Sequence, residues 1–133
     1  MVEDGATVSA EVYLATSSEA VAAAAELATA VSEIGATPTP AILRSNADRL
    51  ATIAQRTRAA GERLDGVRLA DARLDRQRGL LATAYGELST AAGDARAAAA
   101  SGNDTGYLKA RSRVVAAVEL ARGRAGGTPS PAP

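Results

Sequence analysis

Between Leu43 and Leu64 the chain places Leu43, Asn46, Leu50, Ile53, Thr57, Ala60 and Leu64 at alternating intervals of three and four residues. That is an unbroken heptad stripe on an α-helix, of the kind that packs against neighbouring helices at about 20°. A strand would have shown period two instead. Thr39-Pro40 opens this helix, with Thr as N-cap and Pro at the first helical position, and Asp65-Gly66 closes it.

The rest of the chain divides on the same logic. A first helix, capped by Thr7 or Ser9, runs to about Ile34. Its inward positions are Tyr13, Ala20, Leu27 and Ile34, with Ala10, Ser17, Ala24 and Val31 beside them. Gly35 suits a left-handed C-cap, and Pro38 and Pro40 prevent continuation. Val67–Leu69 leads into a third helix from near Ala70 to about Ser101, with Leu74, Leu81, Leu88 and Ala95 recurring every seven residues, flanked by Tyr85 and Ala92. The turn Ser101-Gly102-Asn103-Asp104 precedes a fourth, from about Thr105 to Arg124, with Leu108, Arg111, Val115 and Val118 on one stripe and Val114, Ala117 and Ala121 beside it. Short loops force antiparallel neighbours. The expectation is an all-α, antiparallel up-down-up-down four-helix bundle over residues 8–125, with a flexible lead over 1–7 and a disordered Gly/Pro-rich tail over 126–133.

Composition decides how such a core is filled. Hydrophobic residues make up 47% of the 133, yet Phe, Trp, Cys and His are absent, and Ala supplies about a quarter of the chain. Ala favours helix but buries little area, so the core is thin and of modest stability. Fifteen basic residues balance 15 acidic ones, which argues against a nucleic-acid partner or an anionic membrane surface. Fourteen of the 15 basic residues are Arg, a bias that together with Ala points to a GC-rich genome. No apolar run reaches the roughly 20 residues of a membrane span, and no signal peptide is visible, so membrane association would need an anchor outside this sequence.

Chemistry-bearing patterns are few. Without His or Cys the usual general base, thiol nucleophile and transition-metal ligands are missing. The carboxylates mostly fall between core positions and read as a solvated face, and no base accompanies any Ser or Thr; neither catalytic nor metal or cofactor sites are expected. Arg63, Arg68, Arg73, Arg76 and Arg78 form a candidate anion-binding patch, set against a surface of alternating pairs such as Asp65–Arg68, Arg68–Asp71 and Asp75–Arg78. Asn46 and Thr57, polar at heptad positions, either specify register or line a small ligand cavity. Tyr13 and Tyr85 fit the inward stripes.

The segments Thr37-Pro38-Thr39-Pro40, Leu64-Asp65-Gly66-Val67, Tyr85-Gly86-Glu87-Leu88 and Ser101-Gly102-Asn103-Asp104 give the chain a pattern of turns and composition over Val8–Ala125. In this it resembles small Ala-rich helical-bundle proteins and lipoproteins of GC-rich bacteria, without the lipidated Cys of the latter. The resemblance implies an extracytoplasmic, cell-envelope setting and no functional residues. The function expected is a non-enzymatic module that binds an unknown protein partner through a helix face. The alternatives are a small-ligand sensor with its site between helices, and a self-associating or surface-coating protein.

Overall fold

The computed structural model describes residues 7–126; the expected lead over 1–6 and tail over 127–133 lie outside them. The chain is all-α apart from one minimal strand pair. In order it forms β1 (Thr7–Val8), α1 (Ala10–Ile34), α2 (Pro40–Ser45), α3 (Ala47–Gly66), β2 (Arg68–Leu69), α4 (Ala72–Ser101) and α5 (Asp104–Gly126).

Local side-chain chemistry sets the helix ends. Ser9 Oγ accepts the Val12 N–H at 3.2 Å, and Thr39 Oγ1 accepts the Ile42 N–H at 3.2 Å with Pro40 at the first helical position. Asp71 Oδ1 accepts from both Arg73 N–H and Leu74 N–H, and Asn103 Oδ1 from Gly106 N–H at 3.0 Å. Each cap satisfies donors the helix cannot pair internally. At the end of α4, Gly102 is left-handed at φ 67°, and the Gly102 and Asn103 amides return to Ala99 and Ala98 carbonyls. This is a Schellman closure, and it lets α5 turn straight back along α4.

Two features differ from the expected four helices. The helix begun at Pro40 breaks at Asn46, whose backbone (φ −104°, ψ 1°) leaves the helical path while its Nδ2 donates to Ile42 O at 2.8 Å. Asn competes for backbone carbonyls in this way, so a polar heptad residue here bends the helix instead of sitting in its core. The stripe itself survives the break, with Leu43, Leu50, Ile53, Thr57, Ala60 and Leu64 all buried. The second difference is the segment after α3, where β2 pairs in parallel with β1, Thr7 opposite Arg68 and Val8 opposite Leu69. Thr7 therefore belongs to a ladder and not to a flexible lead.

α4 packs against α3 and α5, and α1 packs against the same two helices. Cross-helix partners give the directions. Glu19, Glu26 and Glu33 of α1 meet Arg63, Arg56 and Arg49 of α3, one index rising as the other falls. α3 and α4 also run opposite ways, since Arg78 reaches Leu64 O near one end while Gly102 lies against Arg44 near the other. One turn in from Leu64, Gly61 lets the two backbones approach: a Cβ there would stand 3.3 Å from Tyr85 Cβ. Asp94 of α4 and Arg113 of α5 pair at 2.6 Å.

The core joins Leu27, Leu43, Leu50, Leu64, Leu81, Leu88, Tyr85, Tyr107 and Val114 with many alanines. Along α1 the inward series holds only from Ala20 onward; Ala10 is exposed and Tyr13 and Ser17 are half-buried. On α5 the expected stripe through Leu108 and Val115 faces out. The row Tyr107, Val114 and Ala121 is buried in its place, with Ala110, Ala117 and Val118. Burying Tyr107 removes more apolar area than burying Leu108, and that choice rotates the helix.

Candidate interaction surface

Of the candidate arginine patch, Arg78 is buried and the other four members are exposed. Arg63 pairs with Glu19 across the α1–α3 seam at 3.3 Å, and Arg68 donates to the carbonyls of Asp65 and Val67. Arg73 and Arg76 are exposed. Arg78 is buried, which corrects its place in a surface patch. Its Nε donates to Asp75 Oδ1 at 3.0 Å and its NH1 to Leu64 O at 3.0 Å, while Asp75 Oδ1 also accepts the Leu69 N–H at 2.9 Å. One ion pair therefore ties the end of α3, strand β2 and the start of α4. The Arg78 guanidinium, and then the Leu69 amide, hold the Asp75 carboxyl below the usual range.

Asn46 and Thr57 are not brought together. Asn46 is spent on the helix break, and Thr57 is fully buried with its hydroxyl donating to Ile53 O at 2.9 Å. Tyr85 is in the core as expected, and burial pushes its hydroxyl up to about 12. Tyr107, which the sequence pattern left unplaced, is equally buried, and its hydroxyl has no partner among the described residues. Burial raises its pKa and the nearby Arg111 charge opposes the rise. Among the described residues no three Asp or Glu converge as metal ligands would, and no helix is long and apolar enough to cross a membrane.

What the fold does assemble is a division of charge on α1. The helix contains four Glu and no basic residue, and Glu19, Glu26 and Glu33, seven apart, all turn to arginines of α3. The outer stripe begins at Glu11 and from there on, through Leu14, Ser18, Val21, Ala25, Ala28 and Ser32, carries no charge. Its spacing of four and three keeps it on one face. Leu14 is 64% and Val21 43% exposed. On α5, Arg113 and Leu120 flank the buried row on the side facing α4, where with Thr83 and Thr90 they line a groove of roughly 820 Å³. The other flank faces α1, and it carries Leu108 and Val115, 38% and 44% exposed. No ion pair joins α1 to α5 among the described residues.

The outer face of α4 is unusual in another way. Gly79, Gly86 and Gly93 recur every seven residues, and a Cβ at any of them would meet nothing within 4 Å. Thr83 and Thr90, between them, turn their hydroxyls onto Gly79 O and Gly86 O. Each of these mid-helix glycines, Gly86 exposed and the other two half-buried, costs up to about 1 kcal/mol relative to Ala, with no contact at the Cβ position to offset it. Comparison with protein-family models, curated proteins and solved structures finds no match to this chain.

Proposed function

We propose that the chain is a non-enzymatic protein-interaction module, an up-down-up-down four-helix bundle with α2 as a bent extension of α3, that binds a helical protein surface along α1 and the adjoining edge of α5. The observation that carries this reading is the outer stripe of α1, uncharged from Leu14 to Ser32, which leaves Leu14 and Val21 in water, while Leu108 and Val115 stand exposed on α5 toward the C-terminal end of α1. Scattered exposed apolar residues are ordinary; a stripe free of charge over five turns of a helix marks a contact surface. The helical directions and the turns that join them support the bundle topology, and the turn pattern supports a setting at the bacterial cell envelope.

The test is a selection of displayed amphipathic helical peptides against the whole protein. Selected binders should lose about tenfold or more in affinity to the Val21→Arg or Val115→Arg variants and keep it for Thr52→Arg on the outer side of α3. Binders indifferent to both substitutions would refute the surface. A second reading, a small-ligand sensor, is favoured by the open groove between α4 and α5, walled by Thr83, Thr90, Ala116 and Leu120. Ligand-induced NMR shifts confined to those residues would support it over the first.

A further inference from the structure

Burial along α1 changes within one turn. Seven residues over 20–34 are buried, whereas none is over 10–19, where Tyr13, Thr16 and Ser17 are half-covered and the rest exposed. Register explains the change. Glu19 lies against Arg63, and α3 ends three residues further on at Gly66. In an antiparallel pair the end of α3 is therefore level with Thr16, and the turns of α1 before it have no α3 beside them.

The helix is weakest at the same place. Thr16, Ser17 and Ser18 follow one another, all with lower helix propensity than Ala or Leu. Two of them turn back on their own helix, Thr16 Oγ1 donating to Val12 O at 2.9 Å and Ser17 Oγ to Leu14 O at 3.1 Å. Such back-bonding weakens and bends helices. From the lost packing and the weak run together, we infer that residues 7–18 form a strap across one end of the molecule, clasped by β2 and hinged at Thr16–Ser18. The strap unwinds as a unit while residues 20–34 and the core stay folded.

What holds the strap down is short. Thr7 and Val8 pair with Arg68 and Leu69, and Ser9 caps the helix through the Val12 N–H. Tyr13 stands close enough to Arg78 for that charge to oppose the rise that burial gives its hydroxyl pKa. The Glu19–Arg63 pair is exposed on both sides and contributes little. Residues 10–18 are fewer than the roughly 12–15 that an isolated helix needs in water, so they cannot stay wound once β1 leaves β2. Opening removes Val8 from beside Leu69 and Tyr13 from near Arg78, both buried at the junction of α3, β2 and α4. The outer stripe of α1 from Val21 onward stays in place.

Native-state hydrogen exchange of the whole chain, followed by NMR as urea is raised toward the unfolding transition, is the test. Relative to their unstructured rates, the amides of residues 13–18 should exchange at least about a hundredfold faster than those of residues 27–34, and with little dependence on urea. Thr7→Cys with Arg68→Cys, at positions directly opposite in the strand pair, closes the clasp covalently in a chain that has no other cysteine. The oxidised variant should slow exchange at residues 13–18 by at least about tenfold against its own reduced form. Thr16→Ala combined with Ser17→Ala strengthens the hinge without touching the clasp, and should slow the same amides by about threefold or more. Exchange of residues 13–18 in step with residues 27–34 overturns the inference, and a hinge variant no slower than the native chain does so as well. Fast exchange indifferent to the oxidised clasp also overturns it, because the segment would then be a frayed helix end that β1 does not hold.

Discussion

Replacing Asp75 by Asn keeps the shape of the side chain and removes its charge, which isolates what the half-buried ion pair contributes. In the native chain one oxygen of Asp75 serves two donors, Arg78 Nε at 3.0 Å and Leu69 N–H at 2.9 Å. Hydrogen bonds to a charged group contribute about 1.5–3 kcal/mol each. The Asn carbonyl still accepts one of them, and Arg78 keeps its bond to Leu64 O, so the expected loss is about 2 kcal/mol at neutral pH. Asp75→Ala strands both donors at a half-buried junction and should lose about 2–3 kcal/mol. The same network makes stability depend on pH in a defined direction. The folded-state pKa of Asp75 is depressed by Arg78 first and by the Leu69 amide second. Its contribution is therefore fully present above the unfolded carboxylate pKa of about 3.9 and is lost as pH falls through the lower folded value. Asp71, held low by the Leu74 and Arg73 amides, behaves likewise but is common to native and variant chains, so it cancels in their difference. Urea unfolding of both chains at pH 7 and again below pH 3 measures that difference directly. A gap under about 0.5 kcal/mol at pH 7, or one that does not narrow in acid, would refute the account of this junction.

Two further expectations concern residues that the sequence pattern alone leaves ambiguous. Gly86→Ala, on the exposed face of α4, should raise stability by about 0.5–1 kcal/mol in a urea melt, and the same change at Gly79 and Gly93 should add to it; a loss would mean that the face is packed within the chain. Thr57→Val should change stability by less than about 1 kcal/mol, because the hydroxyl it removes is bonded only to its own helix, whereas Asn46→Leu should destabilise by about 1 kcal/mol by removing the amide that donates to the Ile42 carbonyl and leaving it the Ser45 hydroxyl alone. Equal effects at the two positions would undo the distinction between a core threonine and a helix-breaking asparagine.

The helices themselves were legible in the sequence because their causes are local. The heptad from Leu43 to Leu64, the Thr39-Pro40 start, the glycine after Ser101 and the capping side chains act over a turn or two, and each boundary falls within a few residues of where those signals stand. The charge division of α1 was equally available, since Glu19, Glu26 and Glu33 recur every seven residues with no basic residue among them. Its meaning was not, because the arginines that receive them lie on another helix, and only the pairing of α1 with α3 leaves the opposite stripe uncovered.

Tertiary packing decided the rest. Sequence spacing allowed α5 to bury either Leu108 and Val115 or Tyr107 and Val114; burial of the tyrosine in the common core settled the rotation and left Leu108 and Val115 exposed. Arg78 looked like one member of a charged surface run until the end of α3 delivered a carbonyl to its guanidinium. The two-residue pairing of β1 with β2 has no periodic signal at all, and it exists because helix ends far apart in the chain meet at one end of the molecule. Local chemistry thus determined which segments are helical in this protein. Which faces those helices hide, and which they offer to a partner, depended on area and charge brought together from elements distant in sequence.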